Sequence, residues 1–363
     1  MNRVSAIKII GSIGLVISML LNGCTTNSIT DNNVSGNDLT ATEVIRLMGN
    51  GINLGNTLEA YNHKSYVELG VDPTSFETLW GQPVTTRDMI DDMKAMGFDT
   101  LRIPVAWTNG INYESGDYTI DERLMNRVDE VVNYALDADM YVILNEHWDG
   151  SWWGMFGSAD EAVREKGMAL YKSMWTQISE HFSDYSYKLI FESANEELCH
   201  RLNDSDVTGT EGVLSEDECY ETTNRINSEF VKLVRSTGGK NADRFLLIAG
   251  YNTDFRKTCD DRYQMPEDTA KDKLLLSVHY YTPWDYCSDS NAKRWGTPGD
   301  YEEQNSLFQM LTKFTDRGYG VVIGEYAVMG AANKPDRDKF YANLLDNCDL
   351  YNYCPVLWDC SDF

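Results

Sequence analysis

Residues Tyr187–His200 read YKLIFESANEELCH. An apolar run, Leu189-Ile190-Phe191, is followed within a few residues by an amide and two carboxylates, Asn195-Glu196-Glu197. A short continuous apolar run of this kind is how a buried strand of a parallel sheet reads. A solvated loop explains one Glu at the tip of such a strand. A second carboxylate delivered the same way from a distant strand would call for another explanation.

Outward from this stretch, the pattern repeats along the chain. Strand-like runs occur at GINL (Gly51–Leu54), DTLRIPV (Asp99–Val105), MYVILN (Met140–Asn145), KLIFES (Lys188–Ser193), RFLLIAG (Arg244–Gly250), KLLLSVHY (Lys273–Tyr280), GVVIGEY (Gly320–Tyr326) and PVLWDC (Pro355–Cys360). Helix-like spacing fills most of the gaps: Thr85–Met96 ending at Gly97, a segment capped by Asp121, Ala159–Phe182, Asn224–Thr237, Tyr301–Asp316 and Pro335–Asn347. Eight βα units with no central reversal point to an α/β fold closed into a (β/α)8 barrel. No eighth helix follows the last strand before Phe363, so part of the apolar flank is expected to be uncovered.

Composition narrows the function classes. Apolar residues make up 42% of the 363, enough for a large core. The formal net charge of −26 excludes a nucleic-acid partner, because phosphate backbones are bound by Lys and Arg. No Gly-rich phosphate loop and no zinc-type Cys/His spacing is present, so neither cofactor nor metal is expected. Arg3 and Lys8 precede an apolar stretch, Ile9–Leu21, which leads into LLNGC. This reads as a lipoprotein signal over residues 1–23, with lipidation at Cys24 and attachment to a bacterial membrane. Residues 24–40 read as a flexible tether and 41–363 as one catalytic domain, acting as a monomer. Export permits disulfides among the seven later cysteines. Cys348 with Cys354 and Cys199 with Cys219 are the nearest candidate pairs.

In a closed parallel barrel, working residues sit at the C-terminal ends of the strands. Those ends supply Arg102, His147, Asn195, Glu196, His279, Tyr281, Glu325 and Trp358. Two carboxylates at one mouth, Glu196 and Glu325, suit hydrolysis of a glycosidic bond. One carboxyl must hold a proton for the leaving oxygen, and the other must be ionised. Arg102 beside Glu325 would keep that group charged. Aromatic faces for sugar rings are expected from Trp148, Trp152, Trp284 and Trp358. The WDGSWWGMF segment reads equally well as a packed aromatic loop.

The motifs GINLGNTLEA, ETLWGQP, GFDTLRIPVAW, LIFESANEE, SVHYYTPWDY and VVIGEY together resemble glycoside hydrolase family 5, the cellulase family of clan A. The resemblance implies a retaining, endo-acting enzyme on β-1,4-linked glucans, with xyloglucanase, β-mannanase or an inactive glycan-binding protein as alternatives. It places the acid/base on Glu196 and the nucleophile on Glu325. Arg102, His147, Asn195, His279 and Tyr281 are supporting residues, and Asn53 joins the aromatics in substrate binding. Two departures stand out. The family's His-His is His147-Trp148 here, and its Asn-Glu-Pro is Asn195-Glu196-Glu197. An added carboxylate beside Glu196 is expected to raise its pKa by like-charge repulsion.

Overall fold

The computed structural model describes residues 38–289, 294–330 and 333–360. The signal segment, Cys24 and the tether up to residue 37 lie outside the described residues. Eight parallel strands close into one barrel in sequence order: β1 (Gly51–Asn53), β2 (Thr100–Ile103), β3 (Tyr141–Asn145), β4 (Leu189–Glu192), β5 (Leu246–Ala249), β6 (Leu274–Tyr280), β7 (Gly320–Tyr326) and β8 (Tyr353–Leu357). The pairing of β1 with β8 completes the ring. The last strand begins two residues earlier than the sequence reading and leaves Trp358 just beyond its end.

The main helices are α1 (Ala41–Met48), α2 (Arg87–Ala95), α3 (Glu122–Asp137), α4 (Glu161–His181), α5 (Glu216–Ser236), α6 (Pro298–Met310) and α7 (Arg337–Tyr351). Their starts follow from local chemistry. Asp121 accepts the Arg123 N–H and caps α3, while Asp160 does the same for α4 through Ala162. Ser215 and Glu218 form a reciprocal capping box that starts α5 eight residues before the expected Asn224.

Helix α1 was not expected from the sequence. Thr40 and Glu43 form its capping box, and Val44, Ile45 and Met48 face the inward side chains Ile143, Ile190, Leu247, Leu275, Val322 and Val356. It therefore plugs the N-terminal end of the barrel. Lys273 Nζ donates to the Leu39 carbonyl at 2.6 Å, and the Ala41 N–H donates to Asp272 O at 2.7 Å. A Cβ on Gly320 would lie 2.6 Å from the Ala41 carbonyl, so the plug needs glycine there. Leu39, just ahead of α1, belongs to the core.

Among the described residues no helix follows β8. Of α2 only Ile90 is fully buried, and Met96 just after it is exposed, whereas α7 buries Phe340 and Leu344 and exposes Leu350. Neither candidate pair, Cys348 with Cys354 or Cys199 with Cys219, forms a disulfide. Cys354 spends its thiol on the Gly49 carbonyl, and proximity in sequence did not bring either candidate pair together as a bond.

Candidate active site

A cavity of about 250 Å³ opens at the C-terminal end of the strands, lined by Trp80, His147, Trp148, Glu196, Glu325 and Trp358 among others. Arg102 lies beneath it, wholly buried, and organises it. Its Nε donates to Glu192 Oε2 at 2.7 Å, Nη1 to Asn53 Oδ1 and Glu325 Oε1 at 2.9 Å each, and Nη2 to Asn195 Oδ1 at 2.9 Å. Burial works against a charged guanidinium, but the Glu192 and Glu325 carboxylates overcome it and hold Arg102 above its ordinary range. The far oxygen of Glu192 accepts from Ser277 at 2.6 Å, so this interior carboxylate is fully occupied in positioning Arg102.

The two expected carboxyls do share the mouth. One oxygen from each of Glu196 and Glu325 and one His279 nitrogen all lie within 4.8 Å of one another. His279 Nδ1 meets Glu196 Oε1 at 2.8 Å and stands 3.6 Å from Glu325. Tyr281 donates its hydroxyl to Glu325 Oε2 at 3.0 Å. A register shift between Val278 and His279 sets His279 opposite Glu325 across β6 and β7. Gly324 leaves room for the imidazole, since a Cβ there would lie 3.1 Å from His279 Nε2. Among the described residues this trio is the grouping with metal-ligand spacing, but both Glu325 oxygens are already taken by Arg102 and Tyr281.

Burial pushes both carboxyls up. At Glu196 the hydrogen bond and charge of His279 outweigh that push and leave the group below the usual carboxylate range. At Glu325 burial prevails over His279 and Arg102 and leaves it above. In this resting arrangement the His279 contact favours charge on Glu196, helped by Arg201 and Arg102, and the two neighbouring carboxyls exchange protons as a pair. Burial and the Glu325 charge hold Tyr281 well above the ordinary phenol range, so it remains a donor. His147 is kept well below the imidazole range by burial, then by Arg102 and His279, and is neutral.

The remaining expected residues divide. Trp148 and Trp358 face the cavity, and the Trp358 ring stacks on His147 with centroids 5.9 Å apart. Trp284 is 66% exposed and lies beyond the cavity lining, edge-on to Tyr281. Two assignments to substrate are corrected. Trp152 is wholly buried, stacked on Trp153 with centroids 4.5 Å apart, and offers no face to a sugar because its loop packs as an aromatic core. Asn53 is buried below the site, donating to the Gly324 and Leu357 carbonyls while accepting from Arg102. The expected effect of Glu197 is also corrected. Glu197 is itself pushed up to about 8, by burial first and the Glu196 charge second, and a neutral neighbour exerts no repulsion.

Sequence reading missed Glu192, Glu59 and Trp80. Glu192 carried a signal, a charge within an apolar strand run. Glu59 accepts from the Thr57 and Asn56 N–H groups beside the cavity and is pushed up to about 8, chiefly by burial. Trp80, in the quoted ETLWGQP motif, is 41% exposed at the mouth.

A (β/α)8 barrel with paired carboxyls, an interior Arg and an aromatic rim has the form of a glycoside hydrolase. The sequence pattern of the Cellulase (glycosyl hydrolase family 5) family matches residues 64–363. Endoglucanase A of Paenibacillus barcinonensis is 33% identical over 354 residues, covering 88% of this chain and 82% of that protein. The xyloglucan-specific endo-beta-1,4-glucanase of Bacteroides ovatus is 31% identical over 353 residues, covering 91% and 67%. A broad-specificity GH5-4 endoglucanase from Ruminococcus champanellensis, solved with bound cellotriose, superposes with a TM-score of 0.75 at 32% identity, covering 89% and 90%. The chain belongs to glycosyl hydrolase family 5 and is a glycoside hydrolase.

Proposed function

We propose that the chain is a retaining endo-β-1,4-glucanase acting on cellulose-like or mixed-linkage glucans. One observation carries the mechanism: an oxygen of Glu196 and an oxygen of Glu325 lie within 4.8 Å. Retaining glycosidases hold their carboxyls about 5–5.5 Å apart, whereas inverting ones leave roughly 6.5–9.5 Å for a water. Glu196 protonates the glycosidic oxygen as Glu325 attacks the anomeric carbon and the bond to the leaving sugar breaks. Water, deprotonated by Glu196, then displaces Glu325 and returns the sugar with its original configuration. Arg102 and Tyr281 stabilise the charge on Glu325 before and after the covalent stage. Arg102 occupies Asn195 Oδ1, so the amide nitrogen is left to bind a sugar hydroxyl.

The endoglucanase names of the relatives support internal cleavage. Trp80, Trp148 and Trp358 line the mouth and offer stacking faces to a glucan chain. The names of the relatives, endoglucanases and a xyloglucan-specific enzyme, support β-glucan as the substrate class. Proton NMR of the first products from soluble mixed-linkage glucan tests this reading. β-Configured new reducing ends are expected, and α-configured ends or no cleavage would reject it.

We also propose that the chain is exported and lipid-anchored at Cys24, on the strength of the basic, apolar and Leu-x-Gly-Cys succession at its start. Metabolic labelling with a fatty acid should mark the native chain and fail to mark Cys24→Ala.

A further inference from the structure

Glu197 lines the catalytic cavity beside Glu196 and heads a second set of carboxyls that the mechanism above does not use. Glu197 is 1% exposed, and Glu146 and Asp149, from the end of β3, are wholly buried. Neither oxygen of Glu146 or Glu197 has a hydrogen-bond partner of ordinary geometry among the described residues. Asp149 uses one oxygen to accept the Thr108 N–H at 3.1 Å, and its other oxygen is unpartnered. Glu146 and Asp149 are in contact as a carboxyl pair, which needs a proton between them. The groups facing Glu197 are Glu196, Arg201, Asp149, Glu146 and the Cys199 thiol, so the nearby cation is the half-buried Arg201. Three buried anions against one guanidinium would be prohibitively costly. A bound cation does not resolve this, because metal-ligand spacing among the described residues occurs elsewhere, at Glu196, His279 and Glu325.

We propose that Glu197, backed by Glu146 and Asp149, is a positioning residue for Glu196: as an uncharged carboxylic acid it forms the cavity wall next to Glu196, and loss of its proton places a second anion there and ends turnover. This rests on Glu196 being the acid/base. Burial, then the charges of Glu196 and Asp149, pushes Glu197 up to about 8, with Arg201 opposing. Asp149 is pushed up to about 7, and Glu146 well above its ordinary value, each by burial first. The sign follows. Between about pH 4.5 and pH 8 the unfolded chain has released the Glu197 proton and the folded chain has not, so rising pH favours unfolding. Gln, the neutral isostere, carries no such penalty.

The test measures melting temperature and kcat/KM on soluble mixed-linkage glucan from pH 4 to pH 10, for wild type, E197Q, E197A and E146Q. E197Q should match wild type in melting temperature at pH 4 and exceed it by about 5 °C at pH 8. Its alkaline limb of kcat/KM should lie about one pH unit higher, and E146Q should move in the same direction. E197A, which removes the wall, should lose activity at every pH, and Gln should restore it. A melting difference that does not vary with pH, an unmoved alkaline limb, or failure of E197Q to fold would each overturn the proposal. Full activity in E196Q would instead overturn the acid/base reading, and the melting comparison would still decide the charge state of Glu197.

Discussion

The two ends of the barrel are built from opposite chemistry. At the floor, α1 drives Val44, Ile45 and Met48 against inward aliphatic side chains, and the polar contacts there satisfy backbone carbonyls. At the mouth, the same strands turn inward with Arg102, Asn145, Glu192, His279 and Glu325, bound mainly to one another. The floor contributes apolar burial. The mouth holds charges in place that would each be unfavourable alone, and it is the end where proton transfer can take place. Stability and chemistry therefore separate along the barrel axis, and substitutions should reveal that separation.

The largest effect should come from Glu325→Gln. Hydrolysis of soluble glucan should fall by roughly 10⁴-fold or more, with reducing-end release as the measurement and oligosaccharide binding retained. Glu196→Gln should lose roughly 10²–10⁴-fold on polymer, and less on an aryl glycoside whose leaving group needs no proton. Equal losses on both substrates would remove Glu196 from the acid role.

At the floor, Ile45→Ala should cost about 3 kcal/mol of stability, visible as a lower melting temperature. Turnover per folded molecule at 25 °C should remain as in wild type. A matching fall in kcat would show that the two ends are coupled, and the contrast between them would fail. The smallest effect belongs to the rim. Trp358→Ala should raise KM about fivefold through loss of a stacking face, with little change in kcat.

The strands and the catalytic pair were legible because each strand is an unbroken apolar run with its titratable residues at the tip. Glu196 and Glu325 each follow such a run directly. Helix α1 was harder to read, since its eight residues adjoin a polar segment, although Thr40 and Glu43 carry a capping signature. Trp148 and Trp152 lie in one aromatic segment, and composition does not tell which ring turns toward the cleft. The loop backbone decides it, sending Trp152 onto Trp153. Glu197 shows the same limit. Adjacency in sequence indicated repulsion of Glu196, whereas direction and burial make Glu197 the group that keeps its proton.

The plug at the floor also decides how a mechanical load would travel. Leu39 lies at the pole opposite the cleft, and α1 is tied there through Lys273 and Asp272. A pull applied at Leu39 is therefore borne first by those two contacts and the strand ends that carry them, and the catalytic carboxyls at the other pole are the last to feel it.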